Sequence, residues 1–235
     1  MTDLTVICRY MVGCPALKGT NGLMSRYLSK PTPKTMRNVA LALGGLEASL
    51  YCELIAYSCG RNDPFTQDIV RAYCFGGEEK IPLQEIRRED VRKFAEINRR
   101  RTSFSVETLL KFRILVGAKP HHSFVVLSSL KGLNGKRNPV VEGLLSDANN
   151  CLFLPAKVLA VKERLSVSIP EIAFSEKGAF EIRQTDKEID KGFVGDRAAS
   201  GDHVAVHWGM ARDIISLGTV CEMDRLLREA LAFFT

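Results

Sequence analysis

Apolar residues recur every three or four positions through the first half of the chain, which is the pattern of helices that bury one face. The longest such run covers residues 35–58, and shorter ones cover residues 65–75, 90–99 and 106–116. Glycine, asparagine and proline interrupt the pattern at residues 59–64, as expected between two helices. The sequence therefore predicts four helices before residue 117.

The pattern of apolar and polar residues changes after Gly117. The short apolar run at residues 122–127 is typical of a strand, and residues 131–137 contain the two glycines and the Asn-Gly pair of a turn. Residues 140–148 predict one further short helix.

Alternation of apolar and polar residues dominates beyond residue 151 and predicts strands. These strands are expected at residues 157–161, 165–169, 180–183 and 203–208.

Residues 219–234 carry an apolar stripe at helical spacing and predict an amphipathic C-terminal helix. The expected fold class is therefore α+β. Residues 1–148 form a mainly helical domain, and residues 149–235 form a small β-rich domain that ends in a helix.

The composition is that of a folded protein, with 46% hydrophobic and 26% charged residues. Lysine and arginine number 33 and aspartate and glutamate 27, which gives a net charge of +6. No apolar run is long enough to predict a membrane span. The first residues lack the basic segment followed by an apolar segment that is typical of a secretory signal. The seven cysteines are not spaced as in a small domain held together by disulfide bonds. We therefore expect a cytoplasmic protein with reduced thiols.

Basic residues cluster between Lys80 and Arg101, but acidic residues are interleaved with them and no aromatic residues alternate with the arginines. This pattern favours a solvated helix face over a nucleic-acid interface. We therefore expect neither nucleic acid nor membrane among the partners.

The four histidines form two pairs. His203 and His207 are four apart and would share one face of a strand, whereas His121 and His122 are adjacent and would point to opposite faces of one. Each pair is compatible with structural histidines and with a metal ligand or proton carrier, and the spacing alone leaves both interpretations open.

No Cys-x-x-Cys motif is present, which argues against a zinc ribbon or a thioredoxin-type site. Cys151 is distinct because it starts the β-rich domain after a polar segment, 146–150, that we interpret as a linker. A thiolate combined with an imidazole suits iron or zinc. The cysteines expected on helices are interpreted as small core residues, namely Cys52, Cys59, Cys74 and Cys221.

Two segments of the second domain carry a more specific pattern. Residues 151–161 read CLFLPAKVLAV, and residues 201–211 read GDHVAVHWGMA. In this order, with a helix after them, they resemble the small hydrogenase maturation chaperones (the HypC/HybG/HupF family). The matching motif positions include Pro155, Gly201, Asp202 and Gly209.

This resemblance implies a small β-barrel of oligonucleotide-binding type with a helical tail. It also implies that Cys151 and His207 are metal ligands, which hold an iron centre with cyanide and carbonyl ligands. We expect both side chains to lie outside the packed core, and we expect an extra segment, about residues 169–185, to interrupt the barrel. The implied partners are the iron–sulfur scaffold protein of the pathway and the immature hydrogenase large subunit.

The whole chain is also similar to a bacterial family of unknown function associated with nickel–iron hydrogenase gene clusters. The segments that carry this similarity are residues 8–10, 53–56, 120–124 and 201–208.

The sequence thus predicts a chaperone-like maturation factor of nickel–iron hydrogenases rather than an enzyme. Two alternatives remain: a metal-free protein-interaction module, and a small enzyme that uses Cys151 or the His121–His122 pair. A second thiolate–imidazole site is also considered, formed by Cys8 and Cys14 together with His121 or His122.

Overall fold

A computed structural model describes residues 4–12, 18–32, 34–35, 38–39, 47–77, 81–97 and 115–235. The chain divides into two compact units, Met1–His122 and Ser123–Thr235. The domain boundary predicted at residue 148 falls within a helix of the second unit.

The described part of the first unit is helical. Its helices are α1 (Thr5–Met11), α2 (Lys18–Ser29), α3 (Glu47–Ser58), α4 (Gln67–Phe75) and α5 (Arg88–Ile97).

The helices predicted at 65–75 and 90–99 are confirmed as α4 and α5, which begin two residues later and two residues earlier than predicted, and residues 98–99 lie outside the described residues. The one predicted at 35–58 is confirmed from Glu47 onward, and residues 36–37 and 40–46 lie outside the described residues. The helix predicted at 106–116 also lies outside them, except for its last two residues, which are not helical.

Helix α5 is amphipathic, as its sequence predicts. Val91 and Phe94 are buried, whereas Arg92 and Lys93 are exposed. The basic residues of this helix therefore form a solvated face, which confirms that interpretation of the charge cluster for the described positions.

Residues 122–127 form a helix, α6 (His122–Leu127), and the predicted strand is wrong. A short 3₁₀ turn, Ser128–Leu130, continues it. The buried positions Phe124, Leu127 and Leu130 are spaced by three, which fits helical turns rather than a strand. The apolar residues of this run, 124–127, are consecutive and reveal no period, so the sequence alone could not distinguish the two.

Helix α7 (Pro139–Cys151) is longer than predicted and includes the residues interpreted as a linker. It begins at the cap residue Asn138, whose side-chain oxygen accepts hydrogen bonds from the backbone N–H groups of Val140 and Val141. Cys151 is therefore the last residue of a helix, where the sequence analysis placed the start of the β-rich domain.

Five strands follow in the fully described segment 115–235. They are β1 (Leu154–Val161), β2 (Leu165–Phe174), β3 (Phe180–Ile189), β4 (His203–His207) and β5 (Met210–Ile215), and the chain ends in α8 (Leu217–Phe234).

The strand order is β3-β2-β1-β4-β5, and all neighbouring strands are antiparallel. A parallel bridge between Asp190 and Met210 joins the two edges of the sheet, so the sheet closes on itself at this point. This arrangement is that of a partly open barrel of oligonucleotide-binding type. The predicted fold class is confirmed: an α+β chain with a helical N-terminal part, a sheet and a C-terminal helix.

Residues 169–185 do not interrupt the sheet, contrary to expectation. They are the outer half of the β2–β3 hairpin, in which Ile169 pairs with Thr185 and Phe174 pairs with Phe180. Both strands extend beyond their predicted ends, because Pro170 in β2 and the run of polar and charged residues in β3 obscure the alternation.

Helix α8 packs its apolar side into the second unit, with Met223, Leu226 and Leu227 buried. Ser216 caps it by accepting a hydrogen bond from the backbone N–H of Thr219. Across the described parts of the chain, no helix combines the length and the apolar character needed to cross a membrane.

Candidate metal centre

A main-chain hydrogen bond joins the end of α7 to the turn between β4 and β5. The backbone N–H of Trp208 donates to the carbonyl oxygen of Asn150 over 2.8 Å. Cys151 follows Asn150 in sequence and His207 precedes Trp208. This single bond therefore brings together the two residues that the resemblance implies as metal ligands.

The β4–β5 hairpin turns through only two residues, Trp208 and Gly209. Both have a positive φ, +52° and +64°, as a type I′ turn requires. Gly209 adopts this conformation readily, whereas tryptophan rarely does. The tight turn fixes where β4 ends and therefore where His207 lies.

His207 is completely buried, so the expectation that it lies outside the packed core is wrong. The ring of Phe153 stacks on its imidazole, with centroids 4.3 Å apart and planes tilted by 14°. The buried guanidinium of Arg212 donates from Nε and Nη2 to its backbone carbonyl, at 3.3 and 3.2 Å. Both the ring and the backbone of His207 are held in place.

A ring nitrogen of His207 and the Sγ atom of Cys151 lie within 4.8 Å of one another, and a ring nitrogen of His122 lies within the same distance of both. His122 is the first residue of α6, and the other five residues of that helix belong to the second unit. Among the described residues, this is the only group of three cysteine, histidine or acidic side chains close enough to share a metal ion.

The ring of His122 is also held by a neighbouring side chain. Its Nδ1 lies 3.0 Å from the hydroxyl of Tyr73, in hydrogen-bond distance, and the two rings meet edge to face. Metal-binding histidines commonly have one ring nitrogen oriented in this way while the other binds the metal. Nε2 is therefore the nitrogen of His122 that would face a metal.

The donor set fits a transition metal. With metal–ligand bonds of about 2.0–2.3 Å, two ligands of a tetrahedral ion lie roughly 3.6 Å apart. The atoms of this cluster would have to approach by about 1 Å, which small side-chain rotations provide. One thiolate and two imidazoles suit iron, zinc or copper, and three protein ligands leave a position open for a further ligand.

The other candidate ligands lie apart from this group. His121 and Cys8 are buried and are not members of it, and His203 is half-buried at the opposite end of β4. The second site suggested for Cys8 with His121 or His122 stays a prediction. Cys14, which was considered with it in the sequence, is outside the described residues.

The motif positions shared with the hydrogenase maturation chaperones have structural roles. Pro155 lies within β1 opposite Ala205. Gly201 and Asp202 form the turn that leads into β4, where Gly201 donates its N–H to Val158 and the Asp202 carboxylate accepts from Ala199. These residues position the strand that ends at His207.

The remaining cysteines divide into two groups. Cys52 and Cys74 are buried as predicted, and burial, with the nearby Glu53 charge, raises the pKa of the Cys52 thiol so that it stays protonated. Cys59 and Cys221 are exposed, so their interpretation as core residues is wrong.

Sequence reasoning did not connect His122 with Cys151 and His207. It treated residues 122–127 as a strand and paired His122 with Cys8 instead. The supporting roles of Phe153, Asn150 and Arg212 had no sequence signal, because each depends on contacts between separate elements.

The sequence matches the family described as "Family of unknown function (DUF6390)" over residues 18–234. The chain belongs to this family. No curated protein and no solved structure matches the chain. In this DUF6390 protein the matched region contains all three residues of the His122–Cys151–His207 cluster.

Proposed function

We propose that this DUF6390 protein is a maturation factor of nickel–iron hydrogenases that carries an iron centre on Cys151, His207 and His122. The observation that carries the proposal is the convergence of one thiol and two imidazoles within 4.8 Å. The two residues singled out by the resemblance are both in this group, and they come from elements far apart in the sequence.

The geometry suits a cargo site. Three protein ligands leave coordination positions for ligands that arrive with the metal, such as cyanide and carbonyl. A thiolate is a good ligand for soft, low-spin iron. The cluster therefore supports holding a metal that already bears small ligands, which is the task of a carrier rather than of an enzyme.

The resemblance of residues 151–235 to hydrogenase maturation chaperones supports the identity of the cargo and of the partners. These would be the iron–sulfur scaffold protein, which supplies the iron centre, and the immature large subunit, which receives it. Such an exchange would take place in the cytoplasm.

The test is anaerobic purification of the full chain after co-expression with the other proteins of the pathway. We expect bound iron and infrared bands of cyanide and carbonyl ligands. Cys151→Ala, His122→Gln and His207→Gln should each lose most of the iron, because each removes one of three ligands. The matched control is His203→Gln, on the same strand as His207 but outside the cluster, which should retain it.

Glutamine is chosen at the buried histidines because it limits the cavity that alanine would leave. Circular dichroism of every variant shows whether the fold is retained. If wild-type protein purified in this way contains no iron, the carrier hypothesis is wrong. If it then still supports hydrogenase maturation, the metal-free interaction module takes its place.

A further inference from the structure

Four residues of α7 lie along one side of the helix. With about 100° of rotation per residue, Val140, Leu144, Asp147 and Cys151 fall within an arc of about 60°. Val140 is 72% exposed and Leu144 39% exposed, and Asp147 is exposed as well. We call Val140, Leu144 and Asp147 the α7 stripe. It leads directly to Cys151 at the end of the helix.

Cys151 continues this stripe at the C-terminal end of α7. The buried side is formed by Val141, Leu145 and Ala148, and Cys151 itself is half-buried. The other two members of the metal cluster, His122 and His207, are both buried. A protein that takes a metal from this cluster therefore reaches it most directly from the side of Cys151.

Large apolar side chains on an exposed helix face are a common feature of protein-interaction surfaces. Here they are continuous with the one metal ligand of the cluster that is partly accessible. From Val140 to Cys151 the helix rises by about 16 Å, enough to seat a short helix or loop of a partner. The single charge of the stripe is that of Asp147, so a matching partner segment carries a lysine or arginine at that point.

We propose that the α7 stripe is the docking surface for the protein that accepts the metal. This inference rests on the proposed function and names the face through which it operates. The partner presents an apolar segment to Val140 and Leu144, a basic side chain to Asp147 and a cysteine thiolate to the metal.

Transfer is then a ligand exchange. The acceptor thiolate forms a metal–sulfur bond while the bond between the metal and Cys151 breaks. The bonds from the metal to the imidazoles of His122 and His207 break next, and both imidazoles leave as neutral ligands while further donor atoms of the acceptor take their places. Cys151 leaves as a thiolate and takes a proton from water. The metal keeps its oxidation state, so the exchange needs no oxidant or reductant.

The test measures binding of the iron-loaded full chain to the immature hydrogenase large subunit under anaerobic conditions, by biolayer interferometry. The double substitution Val140→Gln with Leu144→Gln should raise Kd about tenfold or more, since it removes both apolar contacts. Asp147→Lys should also raise Kd by reversing the charge. Each variant should retain wild-type iron content, because none of these residues is a ligand.

Matched controls come from exposed positions elsewhere in the second unit. Leu217→Gln changes a leucine that is 66% exposed on α8, and Asp186→Lys reverses a charge on β3. Neither should change Kd, since neither lies on the stripe.

The outcomes separate this inference from the proposed function. The inference is overturned if the stripe variants bind the large subunit with unchanged Kd. It is also overturned if these variants lose iron together with binding, because the stripe residues would then be needed for the fold of the metal site. Wild-type protein that holds iron but does not bind the large subunit also overturns it, while the metal site stands. Wild-type protein without iron contradicts the proposed function itself.

Discussion

The aromatic ring of Phe153 lies flat against the imidazole of His207, 4.3 Å away between centroids. Phe153 is two residues beyond Cys151, so one short segment supplies both a ligand of the candidate metal centre and the surface against which the second ligand packs. This arrangement couples the position of His207 to the end of helix α7.

The stacked pair leads to a first prediction. Phe153→Ala should lower the free energy of unfolding by about 3–5 kcal/mol, because it opens a cavity beside His207. Phe153→Leu keeps most of the apolar volume and should cost less, yet it removes the flat surface on which the imidazole rests. Urea unfolding of both variants measures the loss. Equal unfolding midpoints for Phe153→Ala and wild-type protein would show that the stacking contributes nothing.

A second prediction concerns the attachment of α7 to the sheet. The Asn149 side chain donates to the carbonyl of Ile172 and accepts from its N–H, both at 2.8 Å. Asn149→Ala leaves two backbone groups of β2 without these partners and should cost about 1–3 kcal/mol.

Asn150→Ala is the matched control for this substitution. The hydrogen bond between Asn150 and Trp208 uses the backbone carbonyl, which alanine retains. Its effect on the denaturant midpoint should therefore be much smaller than that of Asn149→Ala. The reverse order would contradict the role assigned to Asn149.

A third prediction compares two glycines. At Gly209 an added Cβ would meet no atom within 4 Å, but the φ of +64° disfavours any side chain. Gly209→Ala should therefore destabilise the protein by about 1–2 kcal/mol through backbone strain alone.

Gly143 also has open space around it, but it lies inside α7 with an ordinary helical φ. Gly143→Ala should stabilise the protein by about 0.5–1 kcal/mol, because alanine favours the helix. Thermal unfolding of the two variants should shift in opposite directions. A Gly209→Ala variant that is as stable as wild-type protein or more stable would contradict the assignment of a type I′ turn.

A fourth prediction concerns pH. Hydrogen bonds from Arg87 hold the pKa of Asp90 below its ordinary value in the folded state. The stability from this pair is therefore present above the unfolded pKa of about 3.9 and is lost as pH falls through the lower folded value.

Asp90→Asn should accordingly lower Tm slightly at pH 7, because Asp90 is only partly shielded from solvent and the pair is weak. The difference in Tm from wild-type protein should shrink as pH falls below 4. A difference in Tm that stays constant or grows under acid conditions would contradict this linkage.

Much of this architecture follows from local sequence patterns. Amphipathic periodicity predicts α4, α5 and α8, and alternation predicts all or part of β1 to β4. Helix α5 has one buried and one solvated side, and buried positions alternate along most of β2, so in these elements the order of apolar and polar residues records the geometry directly. The resemblance motifs at residues 151–161 and 201–211 were sufficient to select Cys151 and His207 as a pair.

Tertiary structure alone decided the rest. Residues 122–127 are buried on most sides, so their sequence has no period that separates helix from strand, and the location of His122 could not be inferred. Its approach to Cys151 and His207 depends on where α6 and α7 pack, which no local pattern encodes. The backbone bond from Trp208 to Asn150 and the stacking of Phe153 on His207 likewise join residues more than 50 positions apart in the chain. Side chains that converge from distant segments are brought together by packing, and packing is a property of the whole fold.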